Sequence, residues 1–165
     1  MQAYFDVVDK SAPTYDKDLE ATKMCVKLLA EPEKGLKSKD AQERLDTAAL
    51  LIFKYRAFKP SDVQPKEEPI DADMSKLIMN VLADADWTPP KVGGPGANFQ
   101  MTPQALFFRL GANEKDGWKP PQDGSKFQQA VESWVKENKD KYRIKKLVYA
   151  SADKKDERKE PKKEK

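Results

Sequence analysis

A short phrase, Trp-x-Pro-Pro, occurs twice in this 165-residue chain and limits where its helices can run. It reads Trp87-Thr88-Pro89-Pro90 and then Trp118-Lys119-Pro120-Pro121, and Phe58-Lys59-Pro60 is a fainter third copy. Because proline has no backbone N–H and its ring clashes with the preceding turn, each phrase is a stop signal for a helix. We therefore expect short helices whose ends are closed by an aromatic side chain.

Apolar residues recur at helical spacing in five segments, which predicts a mainly α-helical fold. The predicted helices cover residues 16–30, 38–57, 71–85, 103–110 and 125–138. The residues predicted to lie in the core are Leu77, Ile78, Val81, Val131 and Trp134.

Four of these helices have a predicted N-terminal cap. Ser38, Asp71 and Thr102 precede three of them, and their side-chain oxygens can accept from the first free backbone N–H groups. Ser125 and Gln128 have the S-x-x-Q spacing of a capping box at the fifth helix.

Outside the helices, the sequence predicts a short strand, a loop and a charged C-terminal tail. Residues 142–148 have the composition of a short strand, for which residues 4–8 are the candidate partner in a two-stranded ribbon. Residues 59–70 hold three prolines and several charges and are predicted to be a solvated loop. Residues 151–165 carry seven Lys or Arg, five Asp or Glu and no large apolar side chain, so a disordered charged tail is expected. Residues 1–150 are predicted to form one compact helical domain.

The chain lacks histidine, and Cys25 is its only cysteine. These absences exclude Ser-His-Asp and Cys-His catalysis, histidine-ligated zinc or haem, and any disulfide within the chain. Cys25 lies on an apolar stripe and is expected to be buried as a small hydrophobe. No catalytic residue, metal ligand or cofactor is assigned, and the balance favours a protein that is not an enzyme.

The charges are numerous but balanced. Lys and Arg total 31 and Asp and Glu total 28, for a net charge of +3, and the two signs alternate along the chain. Nucleic acid is therefore not an expected partner. No apolar run approaches the roughly 18 residues of a transmembrane helix. Met1 to Lys10 lack the features of a signal peptide, so the compartment stays open between the cytoplasm and export after removal of a signal peptide.

Two Asp-Ala-Asp triplets and one glycine-rich stretch are candidates for ligand chemistry. Asp71–Asp73 is explained as a helix cap with acids at the favourable end of the dipole. Asp84–Asp86 lies at the opposite end of the same helix, where acids are mildly unfavourable, so it is a candidate for metal or partner contact. Gly93–Gly96 lacks the preceding strand and the Gly-Lys-Ser/Thr of a phosphate-binding loop and is predicted to be a connector.

The tryptophans leave two interpretations open. Trp87 and Trp118 either seal helix ends, which we favour, or line an aromatic groove for sugars, proline-rich peptides or bases. The groove would also include Trp134, Phe99, Phe107 and Phe108, although Trp134 is expected to lie in the core. The residues proposed to contact a partner are Asp84, Asp86, Trp87, Pro89, Pro90, Trp118, Pro120 and Pro121.

The first two predicted helices, about residues 16–57, carry a Leu-rich and then an Ala-Leu-Leu-Ile stripe. This pair resembles a HEAT-type helical hairpin, and residues 140–149 resemble the closing part of small uncharacterised bacterial domains. The resemblance implies helix-on-helix packing and no particular activity.

These observations favour a non-catalytic protein-interaction module, or an accessory subunit of a larger assembly, with a protein as partner. The alternative is an enzyme or ligand-binding protein that uses carboxylates and aromatic side chains, with glycans as its substrates. That alternative requires Asp84 or Asp86 to face a second acid across a cleft, beneath Trp87 or Trp118. A small-molecule ligand is left undetermined.

Overall fold

The computed structural model describes residues 15–59, 64–87 and 102–149. This part of the chain is mainly α-helical with one two-stranded antiparallel sheet, which confirms the predicted fold class. Within these ranges, no helix combines the length and apolarity needed to cross a membrane. The helices are α1 (Tyr15–Ala30), α2 (Pro32–Leu36), α3 (Ala41–Tyr55), α4 (Ala72–Ala83), α5 (Pro103–Leu110) and α6 (Phe127–Asn138), and the strands are β1 (Lys66–Pro69) and β2 (Lys145–Val148).

Two of the predicted caps are confirmed. The carboxylate of Asp71 accepts from the backbone N–H groups of Asp73 and Met74 at 2.9 and 3.0 Å, and these bonds lower the pKa of Asp71. The Thr102 hydroxyl accepts from Ala105 N–H at 3.2 Å. Both caps stand directly before their helix, so a local pattern was enough to locate them.

The other two predicted caps are wrong. The cap of α3 is Asp40, whose carboxylate accepts from Gln42 N–H at 2.8 Å, while the Ser38 hydroxyl donates to Glu43. Serine and aspartate cap equally well, so the sequence did not distinguish them.

The expected capping box at α6 does not form either. Asp123 caps a one-turn 3₁₀ helix (Gly124–Lys126) that precedes α6, and it accepts from both the backbone N–H and the hydroxyl of Ser125. The Gln128 side chain bonds elsewhere, to the backbone of Trp87.

Helix α4 is buried on more than one stripe because α2, α3 and α6 all contact it. Ile78, Met79 and Leu82 are fully buried, and Val81 is buried as predicted. Leu77 was predicted to lie in the core but is only half-buried at its margin. The predictions for Val131 and Trp134 on α6 are confirmed. The core residues not named above include Leu51, Ile52, Leu106, Leu110, Val135 and Ile144.

Strand β2 confirms the predicted strand, but β1 is a partner that the sequence did not predict. The strands run antiparallel, with Lys66 opposite Val148 and Pro69 opposite Lys145. β1 therefore lies inside the predicted loop of residues 59–70, while residues 4–8 lie outside the described residues, as does the predicted tail. The Arg56 guanidinium attaches the ribbon to α3, because it pairs with Glu67 at 2.8 Å and donates to the Lys145 carbonyl at 3.2 Å.

Candidate functional site

Trp87 seals the C-terminal end of α4. Its side chain is buried, and the indole N–H donates to the Leu82 carbonyl at 3.1 Å. The Gln128 side-chain amide on α6 donates to the Trp87 carbonyl, which joins the exit of α4 to the start of α6. Its polar atom is used inside the fold and its ring is covered, so Trp87 agrees with the sealing interpretation and does not line an open groove.

The second Asp-Ala-Asp triplet lies at the surface beside this seal. Asp84 is exposed at the end of α4, and its backbone N–H donates to the Asn80 and Leu82 carbonyls. Asp86 is exposed as well. Across the described ranges, no three Asp, Glu, Cys or His side chains are grouped to hold a metal ion. Pro89, Pro90 and Gly93–Gly96 lie outside the described residues.

Trp118 differs from Trp87 in its exposure. Gly117, with φ of 76°, ends the 3₁₀ turn Glu114–Asp116, and the Trp118 N–H then donates to the Asn113 carbonyl at 3.0 Å. Only glycine adopts that positive φ without strain, so the turn aims Trp118 back over α5. The Trp118 side chain is half-buried, and Pro120 after it is exposed while Pro121 is half-buried.

The third copy of the phrase seals nothing among the described residues. Phe58 is 79% exposed beyond the end of α3. The expectation that an aromatic closes every helix end therefore fails at this copy, since nothing covers the ring there.

A continuous row of six aromatic rings leads from Tyr142 in the core to Phe108 at the surface. The pairs meet edge to face, apart from the last pair, which is stacked at an interplanar angle of 10°. Ring centroids lie 5.1 Å apart for Tyr142 and Trp134, 5.5 Å for Trp134 and Phe107, 4.7 Å for Phe107 and Trp118, 5.8 Å for Trp118 and Phe127, and 5.2 Å for Phe127 and Phe108.

The outer end of the row is a surface formed by Phe108, Trp118 and Phe127, which we call the aromatic surface. Phe107 and Phe108 are consecutive on α5, so their side chains point about 100° apart around the helix. Phe107 is 2% exposed and Phe108 is 63% exposed. One helix thus supplies both the buried anchor and the outermost ring.

The inner end of the row contains two buried polar groups, of which only one has a hydrogen-bond partner. The Tyr142 hydroxyl donates to the Leu110 carbonyl at 3.0 Å, and burial raises the pKa of Tyr142, with a smaller contribution from the Asp116 charge. The Trp134 indole N–H has no hydrogen-bond acceptor in the described part of the chain. At the inner end of the row, the Tyr142 hydroxyl is therefore hydrogen-bonded and the Trp134 indole N–H is not.

The sequence indicated this site only in part. Trp118, Phe107 and Phe108 were among the residues considered for an aromatic groove, but Trp87 was grouped with them and does not take part. Phe127 was predicted only as a member of the apolar stripe of α6. The repeated aromatic-proline phrase identified Trp118, whereas no pattern indicated that Phe127 and Phe108 stack.

Two shallow depressions elsewhere on the surface are lined largely by charged side chains. Neither includes a residue of the aromatic surface. Their linings are Glu20, Lys23, Met24, Lys27, Leu28 and Glu43 for one, and Glu33, Lys37, Asp73, Lys76, Leu77 and Asn80 for the other.

Comparison with protein-family models, with curated proteins and with solved structures finds no significant match to this chain. The resemblance of residues 16–57 to a HEAT-type hairpin therefore stays a prediction. Function has to be inferred from the aromatic surface itself.

Proposed function

We propose that this domain is a non-catalytic protein-interaction module and that it contacts its partner through the aromatic surface of Phe108, Trp118 and Phe127. The observation that carries this proposal is the stack of Phe108 on Phe127, in which Phe108 is 63% exposed. A large aromatic ring left at the surface exposes apolar area that a partner can cover. Aromatic side chains, phenylalanine and tryptophan included, are also enriched at protein interfaces.

The rings are positioned before any partner binds. The ring centroid of the buried Phe107 lies 4.7 Å from that of Trp118. Phe127 is the first residue of α6, so its backbone is fixed by the helix. Ordering flexible side chains costs free energy on binding, so rings that already pack against one another lose less. This pre-organisation supports a binding role for the surface in addition to its packing role.

The alternative function, an enzyme or binding protein for glycans, draws no comparable support. It requires acids beneath Trp87 or Trp118. The Trp87 ring is buried with its N–H bonded to Leu82, and the acid closest to Trp118 in the sequence, Asp116, is paired with Lys145 at 3.0 Å. A sugar ring stacks on an exposed aromatic face, which Trp87 does not offer. An accessory subunit would use the same aromatic surface, with a permanent partner in place of a transient one.

The test is site-specific photo-crosslinking in the native cell extract. A photoreactive phenylalanine analogue replaces Phe108 in one variant and Phe58, which is 79% exposed, in the matched control. We expect a discrete crosslinked protein from position 108, and its loss when Phe127→Ala is added. Circular dichroism verifies that each variant remains folded.

Two results would overturn the proposal. One is the same set of crosslinks from positions 108 and 58, which would show non-specific contact between exposed rings and the extract. The other is an absence of crosslinks at position 108 while an unrelated surface position captures a discrete partner.

A further inference from the structure

Each residue of the aromatic surface has a cationic neighbour in the sequence. Arg109 follows Phe108, Lys119 follows Trp118, and Lys126 precedes Phe127. All three cations are exposed. None of the three forms an ion pair with another residue in the described ranges.

Arg109 is held in place without losing its charge. Its guanidinium lies over the Phe53 ring at 4.1 Å from the centroid. A cation–π contact orients the planar group but supplies no counter-ion. Arg109 therefore keeps its charge, but it points toward α3, about 100° around α5 from Phe108, so the cations that remain beside the rings are Lys119 and Lys126.

The acids in the same stretch are partly occupied within the fold. Asp116 pairs with Lys145 from β2 at 3.0 Å and accepts from the Asn113 N–H at 3.3 Å. The Asp123 carboxylate holds the Ser125 N–H and hydroxyl, and these bonds lower its pKa. The Asp116 charge is thus neutralised by a residue from another part of the chain, and the Asp123 oxygens already accept bonds.

The sequence that carries the three rings keeps a positive charge after its internal ion pair is taken into account. Between positions 107 and 127 the chain has four cations and three acids. If Asp116 is left out of this count because Lys145 neutralises it, four cations stand against two acids. The cations are Arg109, Lys115, Lys119 and Lys126, and the two acids are Glu114 and Asp123.

We infer that the partner contributes a segment that is both apolar and acidic: apolar side chains cover Phe108, Trp118 and Phe127, and flanking carboxylates pair with Lys119 and Lys126. This inference rests on the proposed function. Carboxylates at the rim of an apolar contact add specificity and association rate to the affinity that the rings supply.

A single-stranded nucleic acid also combines stacking rings with negative charge, but the charges favour a peptide. Nucleic-acid sites line a continuous cationic groove along the phosphates. Here Glu114 and Asp123 are exposed and lie between the cations in the sequence, so they interrupt the continuous basic track that a phosphate backbone needs. A segment with a few well-placed carboxylates suits this mixed surface better.

The test uses the full chain and three synthetic peptides of equal length and identical Leu and Phe positions. The remaining positions carry Glu in the first peptide, Gln in the second and Lys in the third. Binding is followed by isothermal titration calorimetry. We expect the Glu peptide to bind about tenfold or more tightly than the Gln peptide, and this preference to disappear near 1 M salt, where charges are screened beyond about 3 Å.

Three variants separate the contributions of charge and rings. Lys119→Gln/Lys126→Gln should lower the affinity for the Glu peptide toward that for the Gln peptide and leave the Gln peptide unchanged. Phe108→Ala should weaken both. The control Lys17→Gln/Lys39→Gln removes the same charge from exposed positions on or next to other helices and should change neither.

The outcomes distinguish the two proposals. Equal binding of all three peptides, lost in Phe108→Ala, overturns the acidic partner and leaves the interaction surface in place. If Phe108→Ala leaves peptide binding unchanged, or if no peptide binds, both the acidic partner and the interaction surface are overturned. An oligothymidine that binds the chain more tightly than the Glu peptide does would overturn the choice of a peptide partner.

Discussion

The backbone of Gly35 in α2 lies directly against the side chain of Thr47 in α3. A Cβ added at Gly35 would meet the Thr47 hydroxyl oxygen and would lie only 2.9 Å from its Cγ2. Thr47 is fully buried, and its hydroxyl donates to the Glu43 carbonyl at 2.7 Å. The threonine is therefore unable to move aside, and α2 approaches α3 at a distance that excludes larger residues.

We predict that Gly35→Ala lowers the free energy of unfolding by about 1–3 kcal/mol, because it overpacks this contact. Chemical denaturation measures the change. In a Thr47→Ala background the same substitution should be neutral or mildly stabilising, since alanine is the better helix former by about 1 kcal/mol. Gly124→Ala is the control, because no atom lies within 4 Å of a Cβ built there. Strictly additive effects of the Gly35 and Thr47 changes would contradict the predicted clash.

Ser75→Ala should destabilise the protein although it removes only one oxygen. The buried Ser75 hydroxyl accepts from the Ile144 N–H at 2.7 Å and donates to the Tyr142 carbonyl at 3.3 Å. The variant leaves the Ile144 N–H buried without an acceptor, so we expect a loss of about 1–3 kcal/mol. Hydrogen exchange at the Ile144 amide should accelerate in the variant. Ser125→Ala, at an exposed position, should change stability by about 0.5 kcal/mol at most; a similar loss in both variants would rule out burial as the cause.

Because Tyr142 is buried, we predict that the protein loses stability at alkaline pH. Burial raises its pKa, and the nearby Asp116 charge adds to the shift. The unfolded chain loses the phenolic proton near pH 10, whereas the folded chain keeps it to higher pH, so the stabilisation is complete below about pH 10 and is lost as pH rises above it.

Denaturation curves from about pH 8 to about pH 11 measure this dependence. In Tyr142→Phe the fall in unfolding free energy above about pH 10 should be shallower. The unfolding free energy of Tyr142→Phe should still fall somewhat with pH, because burial and then the Asp71 charge also raise the pKa of Tyr55. Identical slopes in the two proteins would show that Tyr142 does not control the alkaline limit.

Trp87 and Trp118 should respond differently to the same substitution. Trp87→Ala removes a buried ring and its bond to Leu82, so we expect a loss of about 3–5 kcal/mol. Trp118→Ala should cost less, because that ring is half-buried. Acrylamide quenching gives an independent measurement in variants that retain a single tryptophan, where Trp118 should be quenched more readily than Trp87. Equal quenching would contradict the assigned burial.

The caps show what a local pattern can and cannot decide. Asp71 and Thr102 act on N–H groups two or three residues away, and both were predictable. The Ser125 and Gln128 pattern was equally clear and failed, because Gln128 bonds to the Trp87 carbonyl, 41 residues away in the chain. A side chain that can satisfy two different groups is assigned by whichever one the fold brings within reach.

The same distinction applies to the core and the ribbon. The stripe on α4 predicted Ile78 and Val81 correctly, whereas Leu77 lies at the margin and Ser75 is fully buried, because several neighbouring helices cover α4. β1 is exposed along its length and has no alternation of apolar residues to reveal it. Its pairing with β2 joins segments about 80 residues apart, for which a single sequence carries no signal.

Although it did not reveal the short α2 (Pro32–Leu36), the sequence by itself determined the mainly helical class, five of the six α-helices that the structure describes, the stops at aromatic-proline phrases, and the absence of histidine chemistry. These follow from residue spacing, missing N–H groups and composition, which act over a few residues. Only the tertiary structure decided that Trp87 is sealed in, that Phe108 stays outside, and that it stacks on Phe127. Those outcomes depend on which helix faces approach each other, because burial is a property of the packed chain and not of any single segment.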